Sequence, residues 1–264
     1  MEWWAAYLAV GAVAGFLAGL LGVGGGLIFV PSLIVLFNLQ HFPQTNLLHL
    51  ALGTSLASIT FTSVSSLRAH HAHGAVNWQI VRRTTPGIVV GTLLGSGLAA
   101  LLTSSILALF FAVFVSLAAT QILLDIKPKP SRQLPGRAGT FFVGIIIGIL
   151  FSLVGGGGAI LSVPFMLYCN VKTHDAIGTS SAIGFPIAVS GAAGYILSGM
   201  AQKSLPPLSL GFVYLPAVLW LVIASVLTAP LGAKLAHRLP VDKLKKILAV
   251  LLYIIAAKML VGLL

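Results

Sequence analysis

The residues best placed to do chemistry in this chain are backbone groups held by glycine. Gly22-Val-Gly-Gly-Gly26-Leu-Ile-Phe-Val-Pro31 and Gly155-Gly-Gly-Gly158-Ala-Ile-Leu-Ser-Val-Pro164 say nearly the same thing in the two halves of the sequence. Each interrupts a long apolar run, where clustered glycine is costly to a helix. A helix resuming at Leu27, and its twin at Ala159, would aim N-terminal N–H groups and a positive dipole end at the break. That is an anion site made from backbone alone. A second duplicated pattern supplies hydroxyls: His49-Leu-Ala-Leu-Gly-Thr54-Ser55 matches His174-Asp-Ala-Ile-Gly-Thr179-Ser180. The candidate substrate-binding set is therefore Gly24, Gly25, Gly26, Thr54, Ser55, Gly156, Gly157, Gly158, Thr179 and Ser180. His49 and His174 are candidates for proton exchange, because imidazole titrates near neutrality; the plainer reading makes them interfacial residues at helix starts.

The acidic residues narrow the chemistry further. Only Glu2, Asp125, Asp175 and Asp242 are present, all at or near the ends of apolar segments. A carrier of cations or protons usually keeps a carboxylate at mid-membrane depth. None is expected here, so a cationic substrate is disfavoured. No nucleophile–base pair or pair of intramembrane acids is apparent, so the chain does not read as an enzyme. No cofactor motif is present. Cys169 is the single cysteine, which excludes an internal disulfide. His70-His71-Ala-His73 is the one cluster with metal-ligand character. It has no counterpart in the second half, and no metal ligand is assigned; a metal-ion permease using this loop is the alternative function.

These groups are positioned by apolar helices. The chain has 264 residues, 58% hydrophobic and 7% charged. Soluble domains carry about 25% charged residues. Such a chain cannot cover a water-facing surface, and its continuous apolar runs point to spanning helices rather than a barrel. The net charge of +11 sits in loops, with no basic stripe interleaved with aromatics, so nucleic acid is not a partner; the lipid bilayer is. Apolar segments fall at 4–21, 27–39, 48–67, 79–102, 106–125, 139–154, 159–170, 174–199, 209–233 and 247–264. The Pro- and basic-rich stretch Lys127–Arg137 separates two repeats, 1–126 and 138–264, with 127–137 as the linker.

Lysine and arginine placement orients the chain. If each glycine break folds back as a hairpin, each half makes three crossings. All but Lys203 and Lys258 of the 15 basic residues then fall on one side. The positive-inside rule makes that side, with the linker, cytoplasmic and puts both termini outside. An odd number of crossings per half inverts one half relative to the other. The expected fold class is an all-α polytopic membrane protein of two inverted repeats, each a glycine-broken hairpin plus three transmembrane helices. Glycines at four-residue spacing, such as Gly11, Gly15 and Gly19, mark helix-packing faces, within one chain or between the copies of a homo-oligomer.

Gly22–Gly26 with Pro31, Ala51-Leu-Gly-Thr-Ser55, Gly155–Pro164 and Ala176-Ile-Gly-Thr-Ser180 together resemble the TauE/SafE sulfite exporter family, over almost the whole chain. The resemblance implies a bacterial or archaeal inner-membrane carrier for sulfite, organosulfur anions or related small anions. The expected function is a secondary transporter, working as an exporter of such an anion by alternating access around a midplane site.

Overall fold

The computed structural model describes residues 3–21, 25–124, 131–156, 158–202, 204–236 and 242–261. Gly24 and Gly157, both assigned to the site from sequence, lie outside the described residues. Among those described there are ten α-helices: α1 Trp4–Leu21, α2 Gly26–Leu39, α3 Leu47–Ala72, α4 Trp78–Leu101, α5 Ser104–Leu123, α6 Arg137–Val154, α7 Ala159–Tyr168, α8 Thr173–Gly199, α9 Leu215–Ala236 and α10 Asp242–Val261. The glycine breaks fall between α1 and α2 and between α6 and α7, as the sequence predicts. The protein is an all-α polytopic membrane protein.

Length separates spanning helices from the others. A bilayer core of about 30 Å needs roughly 20 helical residues. With 14 residues, α2 is only about 21 Å long. With 10, α7 is about 15 Å long. Among the described residues six helices are long and apolar enough to cross: α3 with the short 3₁₀ turn before it, α4, α5, α6, α8 and α9. α10 is 20 residues long, and its first residues, Asp242-Lys-Leu-Lys-Lys246, are charged.

Glycine decides which helices touch. α1 packs along α9, and α6 along α4, so the first helix of each half lies against the other half. A Cβ placed on Gly11 would sit 2.6 Å from the Leu221 carbonyl oxygen, and one on Gly15 would sit 2.5 Å from that of Ser225. Only hydrogen fits at that distance. The same arrangement recurs between α6 and α4, where a Cβ on Gly144 would lie 2.6 Å from the Thr84 carbonyl oxygen. In lipid, close backbone approach of this kind replaces the hydrophobic drive as the source of helix association. At the centre α3 packs on α8; α9 also lies against α3, and α4 against α8. α5 pairs with α10 at the edge, where Thr120 Oγ1 and Tyr253 Oη are 2.5 Å apart.

One segment boundary needs correction. Residues 209–233 read as a single apolar segment, but α9 begins only at Leu215. Ser209–Leu210 and Val213–Tyr214 form a two-stranded antiparallel hairpin instead. Its turn holds Gly211 at φ 54°, a left-handed backbone that glycine adopts without a steric penalty. The hairpin packs on the start of α3: Phe212 is buried, and its ring stacks on His49 at 5.1 Å.

Candidate anion site at the crossed glycine tips

The two glycine tips meet. Gly25 precedes α2 at φ 79°, and Gly155 ends α6 at φ 73°, followed by Gly156 at φ 116°. All three backbones are left-handed, which is the local reason for glycine. A Cβ on Gly26 would lie 2.5 Å from the Gly155 carbonyl oxygen and 2.8 Å from Gly156 Cα. The first residue of α2 therefore touches the backbone of the opposite break directly. α2 and α7 both start here, and the first-turn N–H groups of a helix have no partner within it. The positive end of α2 thus meets the break from which α7 starts at Ala159.

Of the duplicated hydroxyls, the serines hold this crossing and the threonines hold the loops before α9 and α4. Ser55 donates to the Gly155 carbonyl at 2.7 Å, tying α3 of the first half to the tip of the second. Ser162 on α7 donates to the Gly158 carbonyl at 2.5 Å and hydrogen-bonds Ser180 at 2.8 Å. Thr54 accepts the backbone N–H of Tyr214 at 3.0 Å, and Thr179 accepts that of Asn77 at 2.9 Å. Each threonine thus caps the chain just before α9 or α4. Gly53 and Gly178, one residue earlier, each abut the carbonyl of that same approaching loop, Phe212 and Ala75 respectively.

Removing one of these caps has a measurable cost. Thr54→Val keeps the shape and strands a buried N–H, a loss of about 1–3 kcal/mol. The detergent-solubilised variant should melt several degrees below the wild type, with Thr54→Ser restoring most of the difference. Equal melting of all three would mean that the Tyr214 N–H finds another acceptor.

A narrow cavity opens beside the crossing, with room for about one water. Gly156 and Gly158 form one wall. Thr62, Ser63 and Ser66 on α3 and Ser181 on α8 supply the polar lining. Gly184 faces it too, and a Cβ there would meet nothing within 4 Å. Ser181 donates to Ser66 Oγ at 2.8 Å across the α3–α8 contact. The α3 hydroxyls were not among the sequence candidates. Their signal was the four-residue spacing Ser58, Thr62, Ser66 along α3, all three buried.

The histidines divide. His49 is buried, with Nε2 2.9 Å from the Ala99 carbonyl, whereas its repeat partner His174 is exposed. The loop histidines are not gathered. His70 is buried with Nε2 3.3 Å from the Gly19 carbonyl; His71 Nδ1 accepts from Trp78 Nε1 at 3.3 Å; His73 bonds the Ala69 carbonyl at 2.7 Å. Among the described residues no three His, Cys, Asp or Glu side chains come together in a group able to hold a metal ion.

The model of the sulfite exporter TauE/SafE family matches residues 7–259. The chain belongs to this family. A probable membrane transporter protein of Haemophilus influenzae is 38% identical over 96% of both chains. The probable membrane transporter protein YdhB of Bacillus subtilis is 29% identical, covering 88% of this chain and 89% of its own. A further probable membrane transporter protein, MJ0441 of Methanocaldococcus jannaschii, is 24% identical over 95% and 93%. No solved structure matches the chain. As a TauE/SafE protein it is a multi-pass membrane transporter, a role in which short helices and glycine breaks at a common centre have a purpose.

Proposed function

We propose that this TauE/SafE protein is a secondary transporter that exports a small sulfur-containing anion, sulfite or an organosulfonate, by alternating access. The observation that carries this reading is the contact of Gly26 with Gly155 and Gly156. It sets the positive end of α2 against the break that leads into α7, with no fixed cation among the cavity-lining residues. One helix end favours an anion by about 0.3–1 kcal/mol, up to about 2 when partly buried. Two such ends hold an anion yet let it leave. In this reading the anion contacts the backbone of Gly24–Gly26 and Gly156–Gly158, and Thr54, Ser55, Thr179 and Ser180 fix the geometry around it.

The same proposal treats 1–126 and 138–264 as inverted repeats in an inner membrane, with a cytoplasmic linker and both termini outside. Supporting it, the principal contacts recur when the halves are exchanged: α1 on α9 matches α6 on α4, and Thr54 capping Tyr214 matches Thr179 capping Asn77. Rocking of one half against the other would then expose the site to each side in turn. His49 and His174 remain candidates for proton exchange.

The test is flux of radiolabelled sulfite in proteoliposomes, with and without a pH gradient. Saturable flux well above empty liposomes is expected, and a response to the gradient would show proton coupling. Folded protein that carries no sulfur anion would end this reading.

A further inference from the structure

The cavity beside the crossed tips has a chemical character of its own. Its polar lining is Thr62, Ser63, Ser66 and Ser181 with the glycine backbone, and Ala18, Ile59 and Ile187 complete it. No charged or titratable side chain lines it. His70, one turn beyond Ser66 on α3, lies against the Gly19 carbonyl, and Arg68 is exposed. The nearest acid on α8, Asp175, is in that helix's first turn. From α1, α2 and α7 the sequence offers no charged group.

We propose that this cavity is the selectivity pocket and that it accepts oxyanions only as monoanions: hydrogensulfite or a sulfonate, not the sulfite dianion or sulfate. This rests on reading the protein as a sulfur-anion transporter. The first argument is electrostatic. The cost of taking an ion out of water rises with the square of its charge, so a site without counter-charges favours a monoanion over a dianion. Helix ends and hydroxyls supply partial charges alone. The second argument concerns the acid proton. A backbone N–H only donates, whereas a hydroxyl donates and accepts. Ser66 and Ser181 can therefore serve both the oxygens and the S–O–H of hydrogensulfite.

The hydrogen bonds of the pocket suit that task. Ser181 donates to Ser66, which leaves the Ser66 O–H for a group in the cavity. The cavity holds about one water, so admitting an anion separates α3 from α8. That separation breaks the Ser181–Ser66 bond and turns both hydroxyls to the incoming oxygens. The stripe is also one-sided. At the repeat-related positions of α8, Thr62, Ser63 and Ser66 become Ile187, Ala188 and Gly191. The first half alone supplies the hydroxyls of this stripe.

The experiment is initial-rate uptake into proteoliposomes at equal internal and external pH, on the acid and alkaline sides of neutrality, at fixed total sulfite. Hydrogensulfite loses its proton in this range; methanesulfonate stays a monoanion and sulfate a dianion. Sulfite flux should fall with rising pH in step with the hydrogensulfite fraction. Methanesulfonate should compete equally at both pH values, and excess sulfate should not compete. His70→Gln should keep this profile, which separates titration of the substrate from titration of the protein. Flux that rises with pH, or sulfate competing as well as methanesulfonate, overturns the proposal while leaving sulfur-anion transport intact. Absence of flux for every sulfur anion overturns both. Two variants address the place. Gly184→Ala adds one methyl where a Cβ meets nothing within 4 Å, so it should leave thermal stability unchanged and slow flux severalfold. Ser66→Ala should weaken discrimination against sulfate, and Ser66→Thr should restore it. Normal flux and selectivity in Gly184→Ala and Ser66→Ala would put the pocket elsewhere.

Discussion

Gly26→Ala should yield folded protein that transports at least about tenfold more slowly, a barrier increase of ~1.4 kcal/mol or more. The added methyl carbon would lie 2.5 Å from the Gly155 carbonyl oxygen and 2.8 Å from Gly156 Cα. Both are backbone atoms, so no rotamer change relieves the overlap, and the tips must move apart. Overpacking by one carbon costs about 1–3 kcal/mol, which a multi-helix protein survives. The damage is concentrated where two helix ends must share one ligand. Gly97→Ala is the control, because a Cβ there meets nothing within 4 Å. The measurement is sulfite flux normalised to folded protein in the same vesicles. Wild-type flux from Gly26→Ala would remove the crossing from the transport path.

Gly19→Leu has the opposite signature, a loss of the folded protein itself. A Cβ on Gly19 would overlap the Ala229 carbonyl oxygen, and one on Gly232 would overlap that of Phe16. Here α1 and α9 touch backbone to backbone over several turns, and Gly11 and Gly15 continue the seam. A leucine forces the helix axes apart along that seam and forfeits its dispersion contacts, a loss of about 3 kcal/mol or more. Size-exclusion chromatography in detergent should show aggregated or absent protein, whereas Gly97→Leu should elute as the wild type does. Equal behaviour of the two variants would mean that the α1–α9 contact is dispensable.

Much of this architecture was legible in the residues. The helix breaks announce themselves because four clustered glycines have no other reason to interrupt an apolar run. Gly53-Thr54 and Gly178-Thr179 announce themselves by repetition, and both pairs abut equivalent loops. Their role was less legible. A threonine beside a glycine break looks like a ligand until the partner of its oxygen is seen, and Tyr214 N–H lies 160 residues away in sequence. Duplication does not reveal the α3 hydroxyls of the cavity, because Thr62, Ser63 and Ser66 have no counterparts in the second half. Nor could periodicity show which glycine faces meet: Gly11, Gly15 and Gly19 mark a seam without naming α9. The hairpin at Ser209–Tyr214 was hidden by its own apolar composition, with a single turn residue, Gly211, to betray it.

The crossed pairing of α1 with α9 also bears on how the chain is made. α1 leaves the ribosome well before its partner, which starts only at Leu215. Until then its glycine face can be covered only by lipid or by a provisional neighbour. Contacts between such distant segments form late, because the intervening chain must first be placed. A truncated product lacking α9 would keep an open seam on α1 and be marked for disposal by the membrane's quality control. Insertion of α9 therefore closes the α1 seam, and slow synthesis of the intervening chain extends the interval during which α1 waits exposed.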